Sequence, residues 1–578
     1  MKKLDIQSYD RTVVLGALVV VIAMILSLPW LGLGNFYTRG EPREALVAVA
    51  MMQQDNYILP FFQGDFAFKP PMLHWLVVAC SLPQGFVSET SARLPSALAL
   101  IVMALVFFRF TARRTCPSRA FIATTIMLTC FEVHRAAMTC RVDMVLMAFM
   151  VCEILALFRW YERGLKGLPW LAALLASGAI LTKGPVGVLL PAMALGLFLL
   201  ADGRGLKAAV VCGIKLAIPS LVLPALWYLA AYRQGGEEFW NLVLEENVGR
   251  FLGKMSYESH EHGPFYTIPM LLSGLLPFTL LLVFCLPVLK YRSQNSIMER
   301  IKNGIRCFRN LDAWHRYAAI VAALIFVFYC IPKSKRGVYL LPMYPFVAMM
   351  VADAMMWAYD RHRRVVSAFS GTMTAIAALM AVAMSAIRFI DPQMLGTSRS
   401  ARRMASQLVG IQAADDSALY IASIALLVAA IVVVIAMRRH RYASIVGALL
   451  PWICATIAID AAINPAIKNS VPDYDFAMKT RTLLGGNPAY YFCADDMEEN
   501  VFTVDFYLDD RVEEFHSAAQ LPDKGYIFFK EHNLAKIDSV MSGIDTQKVL
   551  ETPNEFTCFK GRIYLYRFEK KKATATRN

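Results

Sequence analysis

Thirteen apolar runs of membrane length, or close to it, occupy most of the first 463 residues, at about 12–32, 92–110, 119–137, 142–160, 168–182, 184–201, 207–231, 265–289, 316–332, 338–358, 365–388, 418–437 and 443–462. A helix needs about 20 apolar residues to cross a bilayer core. Inside that core only helices or closed barrels satisfy the backbone, so runs of this kind force a polytopic α-helical membrane protein. Composition agrees: 57% of the 578 residues are hydrophobic and 18% are charged, against about 25% charged in an ordinary soluble chain. A soluble enzyme with a single anchor is excluded.

The net charge of +14 would raise nucleic-acid binding in a soluble protein. Here the basic residues gather in alternate loops: Lys2, Lys3 and Arg11; Arg109, Arg113, Arg114 and Arg119; Arg159, Arg163 and Lys166; Arg204 and Lys207; the stretch from Lys290 to Arg316; Arg361, Arg363 and Arg364; and Arg438, Arg439 and Arg441. With the amino terminus in the cytoplasm, every inside loop is basic, as the positive-inside rule asks. No nucleic-acid partner is expected. An odd number of spans then puts everything after about residue 463 on the outer side. The first apolar run is too long for a cleavable signal and lacks a small-residue cleavage site. The 12 cysteines show no CxxC spacing and read as small core residues.

The expected organisation is a membrane domain over 1–463, with outer loops at about 33–91 and 232–264, and a soluble α/β domain over 464–578. In the first loop, EALVAVAMMQQ and MLHWLVVACSL are too short to span and read as amphipathic helices along the interface. The second loop has a helical middle, EEFWNLVLEENVGRF. In the tail, AYYFC, GYIFFK and GRIYLYRF read as strands and HSAAQ and EHNLAKIDSVM as helices. Cys493 and Cys558 fall on predicted strands, where either a disulfide, in an oxidising compartment, or two buried thiols would fit.

Polar residues held at a membrane face need a partner or a job, and those outside the basic loops all fall on the outer side. TRGEPREA supplies Glu41, Arg43 and Glu44 just beyond the first span; a carboxylate there can act as a base, and an arginine can grip phosphate through its forked donors. Taken alone, the segment reads as readily as a solvated loop with a local ion pair. In GDFAFKPPMLHW the pair Pro70-Pro71 stiffens the backbone and presents Lys69, whose ammonium suits phosphate or snorkels to the interface. CRVDMVLMAFM puts Arg141 and Asp143 at the lip of a span. LTKGPVGVLLP puts Lys183 in an outer hairpin turning at Gly184-Pro185. The second loop adds Glu246, Asn247, Arg250 and His260, and SKRGVYLLPMYP brings Lys335, Arg336 and Tyr339. This convergence suits an outer-facing cavity for an anionic, partly apolar ligand such as a lipid phosphate. Walker, GxGxxG, HExxH and GxSxG signatures are absent.

The segments TRGEPREA, FKPPMLHW, SARLPSAL, CRVDMVLMAF, LTKGPVGVLLP, ENVGRF with HGPFYTIPMLLSGLLPF, and SKRGVYLLPMYP resemble, in order and spacing, the bacterial lipid-linked-sugar glycosyltransferases of the aminoarabinose (lipid A) transferase and protein O-mannosyltransferase superfamily. The likeness covers roughly 30–350. It implies transfer of a monosaccharide from a polyprenyl (undecaprenyl) phosphate to an acceptor at the outer face of the inner membrane, with inversion. By this resemblance Glu41 and Asp143 flank the reaction centre; Lys69, Arg43, Arg250 and Lys183 hold the donor phosphate; and Tyr339, Glu44, His260 and Lys335 line the substrate site. One departure is Gly40, where relatives carry the first acid of a pair. The expected partners are the donor, a lipid or protein acceptor and membrane lipids. The chain is expected to act as a monomer, with no cofactor and no metal. A lipid or solute transporter is the alternative from another class; the sequence shows none of the paired halves common in transporters.

Overall fold

All thirteen apolar runs are helical in the computed structural model, which describes residues 6–62, 65–249, 261–289, 297–414, 416–439, 443–492, 501–515, 517–558 and 561–570. Among the described residues, eight helices are long and apolar enough to cross a membrane, and nine if the pair Pro264–Gly274 and Phe278–Val288, bent by 98°, is one crossing. The protein is a multi-pass helical membrane protein.

The other runs depart from ideal spans for local reasons. Helices α1 (Ile6–Ser27), α2 (Gly40–Gln54), α3 (Met72–Ser81) and α4 (Glu89–Ala112) are followed by α5 (Pro117–Thr129) and α6 (Phe131–Ala137). The run at 119–137 is divided between α5 and α6 because Cys130 adopts an extended conformation. Helix α7 (Val142–Glu162) is long enough but carries Asp143, Glu153 and Arg159. Helices α8 (Trp170–Lys183, 14 residues) and α9 (Val186–Ala201, 16 residues) are short. Helix α10 (Gly205–Leu244) supplies the helical middle expected for the second outer loop. It kinks at Gly236, whose φ of 56° and ψ of −144° interrupt the helix in a region open to residues without a β-carbon.

The first outer loop folds as α2, a two-strand ribbon of β1 (Phe61–Phe62) and β2 (Asp65–Phe66), and α3. The sequence places α2 along the membrane interface. In the structure its residues Glu41, Glu44, Leu46, Ala48 and Met51 are buried, because the carboxy-terminal region packs against it. That region is a five-stranded mixed sheet of β3 (Ala489–Phe492), β4 (Val512–Phe515), β5 (Lys524–Lys530), β6 (Ile544–Glu551) and β7 (Ile563–Lys570), in the order β4-β3-β5-β7-β6. Strand β3 runs parallel to β4 and β5, and β7 antiparallel to β5 and β6. Leu46, Ala48 and Met51 of α2 and Leu73 and Val77 of α3 share one buried core with Phe476, Val504, Phe528 and Leu565. At about 0.8 kcal/mol per buried methylene, this shared core ties the sheet to the loop.

The three predicted strands are β3, β5 and β7. Strands β4 and β6 are additional, and HSAAQ forms only a short 3-10 turn at Ala518–Gln520. Cys558 lies in the loop between β6 and β7 and not on a strand, since β7 starts only at Ile563. The preceding turn is tied by Thr557 Oγ1 donating to the Gly561 carbonyl at 2.6 Å. Cys493 lies outside the described residues; Cys558 is a free thiol.

Candidate active site

Three charge clusters lie at the starts of α2 and α7 and the end of α8. The first centres on Glu44, one turn into α2. Its carboxylate receives Lys69 Nζ at 3.2 Å, Arg43 Nη2 at 3.1 Å and His74 Nε2 at 3.0 Å. Lys69 and His74 flank Pro70-Pro71, so the stiff dipeptide and the start of α3 fix both donors on one side of the acid. Burial by itself would raise the Glu44 carboxyl, but Lys69, the His74 hydrogen bond and Arg43 together hold it well below the usual carboxylate range.

The second cluster closes on Glu41, only 1% exposed. Arg93 Nε donates to Oε1 at 2.8 Å and the Cys140 backbone N–H donates to the same oxygen at 3.1 Å. The remaining Arg93 donors hold the carbonyls of Leu31 (2.7 Å), Gly34 (2.6 Å) and Asn35 (3.2 Å). Burial pushes the Glu41 carboxyl up, yet Arg93 and Lys468 outweigh it and keep it below its ordinary value. Glu41 therefore joins α2, the loop after α1 and the segment before α7, with its oxygens occupied.

The third cluster lies at the lip of α7. Asp143 is in that helix's first turn and Lys183 is the last residue of α8, so each charge sits at the helix end that favours its sign. Lys183 Nζ donates to Asp143 Oδ1 at 2.5 Å and lies 4.2 Å from the centre of the Tyr339 ring, a cation–π distance. Asp143, Lys183 and Tyr339 are thus brought together as the sequence reading required.

In SKRGVYLLP the two cations part company. Lys335 is 1% exposed and its Nζ donates to the Cys330 carbonyl at 2.7 Å, closing the turn before the next helix. Arg336 instead lines a cavity of about 490 Å³ together with Arg135, Arg141, His262, Tyr266 and Glu132. Burial and then repulsion from Arg141 hold the Arg336 guanidinium below its usual value, while Tyr339 and Asp143 pull the other way. Arg43 is close enough to add to that repulsion, so the cavity adjoins the other clusters. Arg250 and His260 lie outside the described residues. Among the described residues no group of three His, Cys, Asp or Glu is arranged to hold a metal ion.

Several contributors were not assigned a role from sequence. Arg93 had a signal, being a charge within an otherwise apolar span. In sequence His74 reads as part of an amphipathic helix, and His262, far from Arg141 along the chain, lines the same cavity as Arg135 and Arg141. The clustered cations form an environment that can neutralise an anionic group, with Asp143 and Tyr339 beside Lys183.

Residues 68–228 match the family model described as dolichyl-phosphate-mannose-protein mannosyltransferase. An uncharacterized protein of Aquifex aeolicus (strain VF5) is 27% identical over 343 residues, 58% of this chain and 63% of that one. The undecaprenyl phosphate-alpha-4-amino-4-deoxy-L-arabinose arabinosyl transferase of Shewanella sediminis (strain HAW-EB3) is 24% identical over 382 residues, 64% of this chain and 65% of that one. These matches span about two-thirds of each relative. The crystal structure of ArnT from Cupriavidus metallidurans bound to undecaprenyl phosphate shares the fold, with a TM-score of 0.68 at 19% identity over 95% of this chain and 97% of that one. The resemblance to the polyprenyl-phosphate-sugar glycosyltransferases of the aminoarabinose transferase and protein mannosyltransferase superfamily is borne out.

Proposed function

We propose that this chain, built on the fold of the polyprenyl-phosphate-sugar glycosyltransferases, moves a monosaccharide from a polyprenyl (undecaprenyl) phosphate to an acceptor, with inversion. In this reading it is a bacterial inner-membrane protein of thirteen crossings, with a cytoplasmic amino terminus and its carboxy-terminal α/β domain in the periplasm. The acceptor is lipid A or another envelope glycolipid; a protein hydroxyl is the second reading.

The observation that carries the proposal is the Asp143–Lys183–Tyr339 cluster beside the Lys69–Glu44–Arg43 platform. A polyprenyl phosphate is already a good leaving group. The protein's task is to offset the charge that grows on it, with cations fixed in advance, and to align the acceptor for attack opposite the departing oxygen. Lys69 and Arg43, with Arg250, are assigned the donor phosphate. Lys183 stands by as a further cation, held on Asp143. Asp143 and Tyr339 are assigned the sugar and the reacting centre, and Glu41 a clamp that fixes α2 and the Cys140-Arg141 segment beneath them.

Lys69→Ala is the test. Purified protein in detergent, given a polyprenyl-phosphate sugar and an acceptor lipid, should transfer sugar without a sealed membrane, whereas a transporter would need one. The variant should lose transfer at least a hundredfold while keeping its gel-filtration profile. Near-normal turnover would sink the donor-site assignment.

A further inference from the structure

Between the bent pair at 264–288 and the next span lies a helix that the described remainder of the chain leaves uncovered. Helix α11 (Ile297–Asn310) ends two residues before α12 (Ala313–Cys330), one of the apolar helices of membrane length. Lys302, Asn303, Ile305, Arg306, Cys307, Arg309 and Asn310 of α11 are exposed and Phe308 is half-buried. Ile305 is 48% exposed, and a β-carbon added at Gly304 would meet nothing within 4 Å.

A helix so exposed would be polar all round if water were its only neighbour, and this one is not. Ile297, Ile301, Ile305 and Phe308 recur at intervals of four, four and three, the spacing of one apolar row at 3.6 residues per turn. Lys302, Arg306 and Arg309 follow Ile301, Ile305 and Phe308 by one position each, so the cations form a second row about 100° round the helix. Among the described residues these three make no hydrogen bond or ion pair. The helix carries one acid, Glu299, against four cations, Arg300 included. The next acid, Asp312, caps α12, accepting the Trp314 and His315 N–H groups at 3.0 and 3.2 Å, and pairs with the His315 ring.

The joint to α12 fixes where this surface sits. Leu311 and Asp312 alone separate the two helices, and two residues reach at most about 7 Å. The joint is also closed, since the Leu311 N–H donates to the Phe308 carbonyl at 3.2 Å and His315, held by Asp312, reaches Asp353 of the helix Tyr344–Arg361 at 3.2 Å. Helix α11 is therefore held at the level where α12 enters the bilayer. Lying in that plane, it buries its apolar row among acyl chains while the long basic side chains beside the row extend to the headgroups. We propose that α11 is an in-plane anchor for anionic phospholipid: the row of Ile305 and Phe308 enters the membrane face from which α12 starts, and Lys302, Arg306 and Arg309 gather negatively charged headgroups around it. The inference goes beyond the glycosyl-transfer reading and does not depend on it.

The test uses the full-length protein in nanodiscs of phosphatidylcholine and in nanodiscs of phosphatidylcholine and phosphatidylglycerol in equal parts, with hydrogen exchange over 297–310 read by mass spectrometry. Three cations on an anionic surface should slow exchange of α11 by about tenfold or more in the mixed discs relative to the neutral ones. The combined substitution Lys302→Gln, Arg306→Gln and Arg309→Gln should remove that difference, and Ile305→Ser with Phe308→Ser should leave α11 exchanging fast in both. Exchange over α12 and β5 as in wild type certifies the fold of each variant. Should the glutamine variant fail that control, wild type in mixed discs at high salt, where the attraction is screened, decides in its place and should lose the difference. Equal exchange of wild type in the two discs overturns the proposal, as does a difference that survives the glutamine substitutions or high salt. Protection that appears equally in detergent and grows with protein concentration would assign the apolar row to a second copy of the chain, and overturns it as well.

Discussion

Glu41 and Arg93 offer the sharpest separation of clamp from catalyst. Arg93, 1% exposed, donates to a buried carboxylate and to three backbone carbonyls. Arg93→Ala leaves Glu41 with the Cys140 N–H as its hydrogen-bond donor and with the field of Lys468. Breaking a buried ion pair from one side costs roughly 3–5 kcal/mol, and each carbonyl that water cannot reach adds about 1–3 kcal/mol. Glu41→Gln leaves the arginine uncompensated and should fall in the same range, whereas Arg93→Met combined with Glu41→Leu should recover about 2 kcal/mol or more of the summed losses. Cys140 reports the outcome, because it is fully buried against the pair and free. A local opening made about 3 kcal/mol easier raises its labelling by a maleimide by more than a hundredfold, read by mass spectrometry of the peptide that carries it. The reasoning is refuted if Arg93→Ala labels Cys140 at the wild-type rate. It also fails if Glu41→Gln stops transfer with Cys140 still protected, because the carboxylate would then act on substrate.

Two further outcomes follow from the same structure. Asp473, buried where it accepts the Cys558 N–H at 3.2 Å, is pushed from its ordinary 3.8 to about 7 by burial, against the opposing Cys558 hydrogen bond. The folded state therefore holds this proton more tightly than the unfolded one, and the associated stability, up to about 4 kcal/mol, is complete below pH 4 and lost as pH rises through 7. Thermal unfolding of Asp473→Asn in detergent should lack that slope, and an unchanged slope would assign it to another group. Lys335→Met removes one charged donor but also spares an ammonium its desolvation. Stability should move by only about 1 kcal/mol with transfer retained, and lost transfer in a folded variant would show that the ammonium reaches substrate.

The sequence was most informative where physics is local. Apolar runs located the helices, the Pro70-Pro71 pair and the short apolar stretch after it located α3, and three β-rich stretches located β3, β5 and β7. It was least informative where two distant segments decide an outcome together. Lys335 and Arg336 are adjacent cations with equal claims on paper; only the turn at Cys330 shows that one closes a loop and the other faces the cavity. The family resemblance offers Glu41 as a reacting carboxylate, and its pairing with Arg93, 52 positions away, leaves no mark on its neighbourhood in sequence. Asp143 and Lys183, 40 positions apart, were both placed at the outer face, but their 2.5 Å contact depends on α7 and α8 lying side by side.

The carboxy-terminal region bears on the site although none of the assigned residues belongs to it. Arg39, immediately before Gly40, donates from Nε to the Cys558 carbonyl at 3.2 Å. Tyr507 accepts the Phe36 N–H at 3.0 Å and donates to Glu89 at 2.7 Å, and the Phe36 ring packs edge-on against Phe506 with centroids 4.7 Å apart. These contacts hold the approach to α2 from the carboxy-terminal region, while Arg93 of α4 holds it from the helical domain. The start of α2 is therefore fixed from two directions. Under the transfer reading, in which alignment of reacting groups to within about an ångström governs rate, the contacts at Cys558 and Tyr507 belong to the positioning of the site as much as to the stability of the carboxy-terminal region.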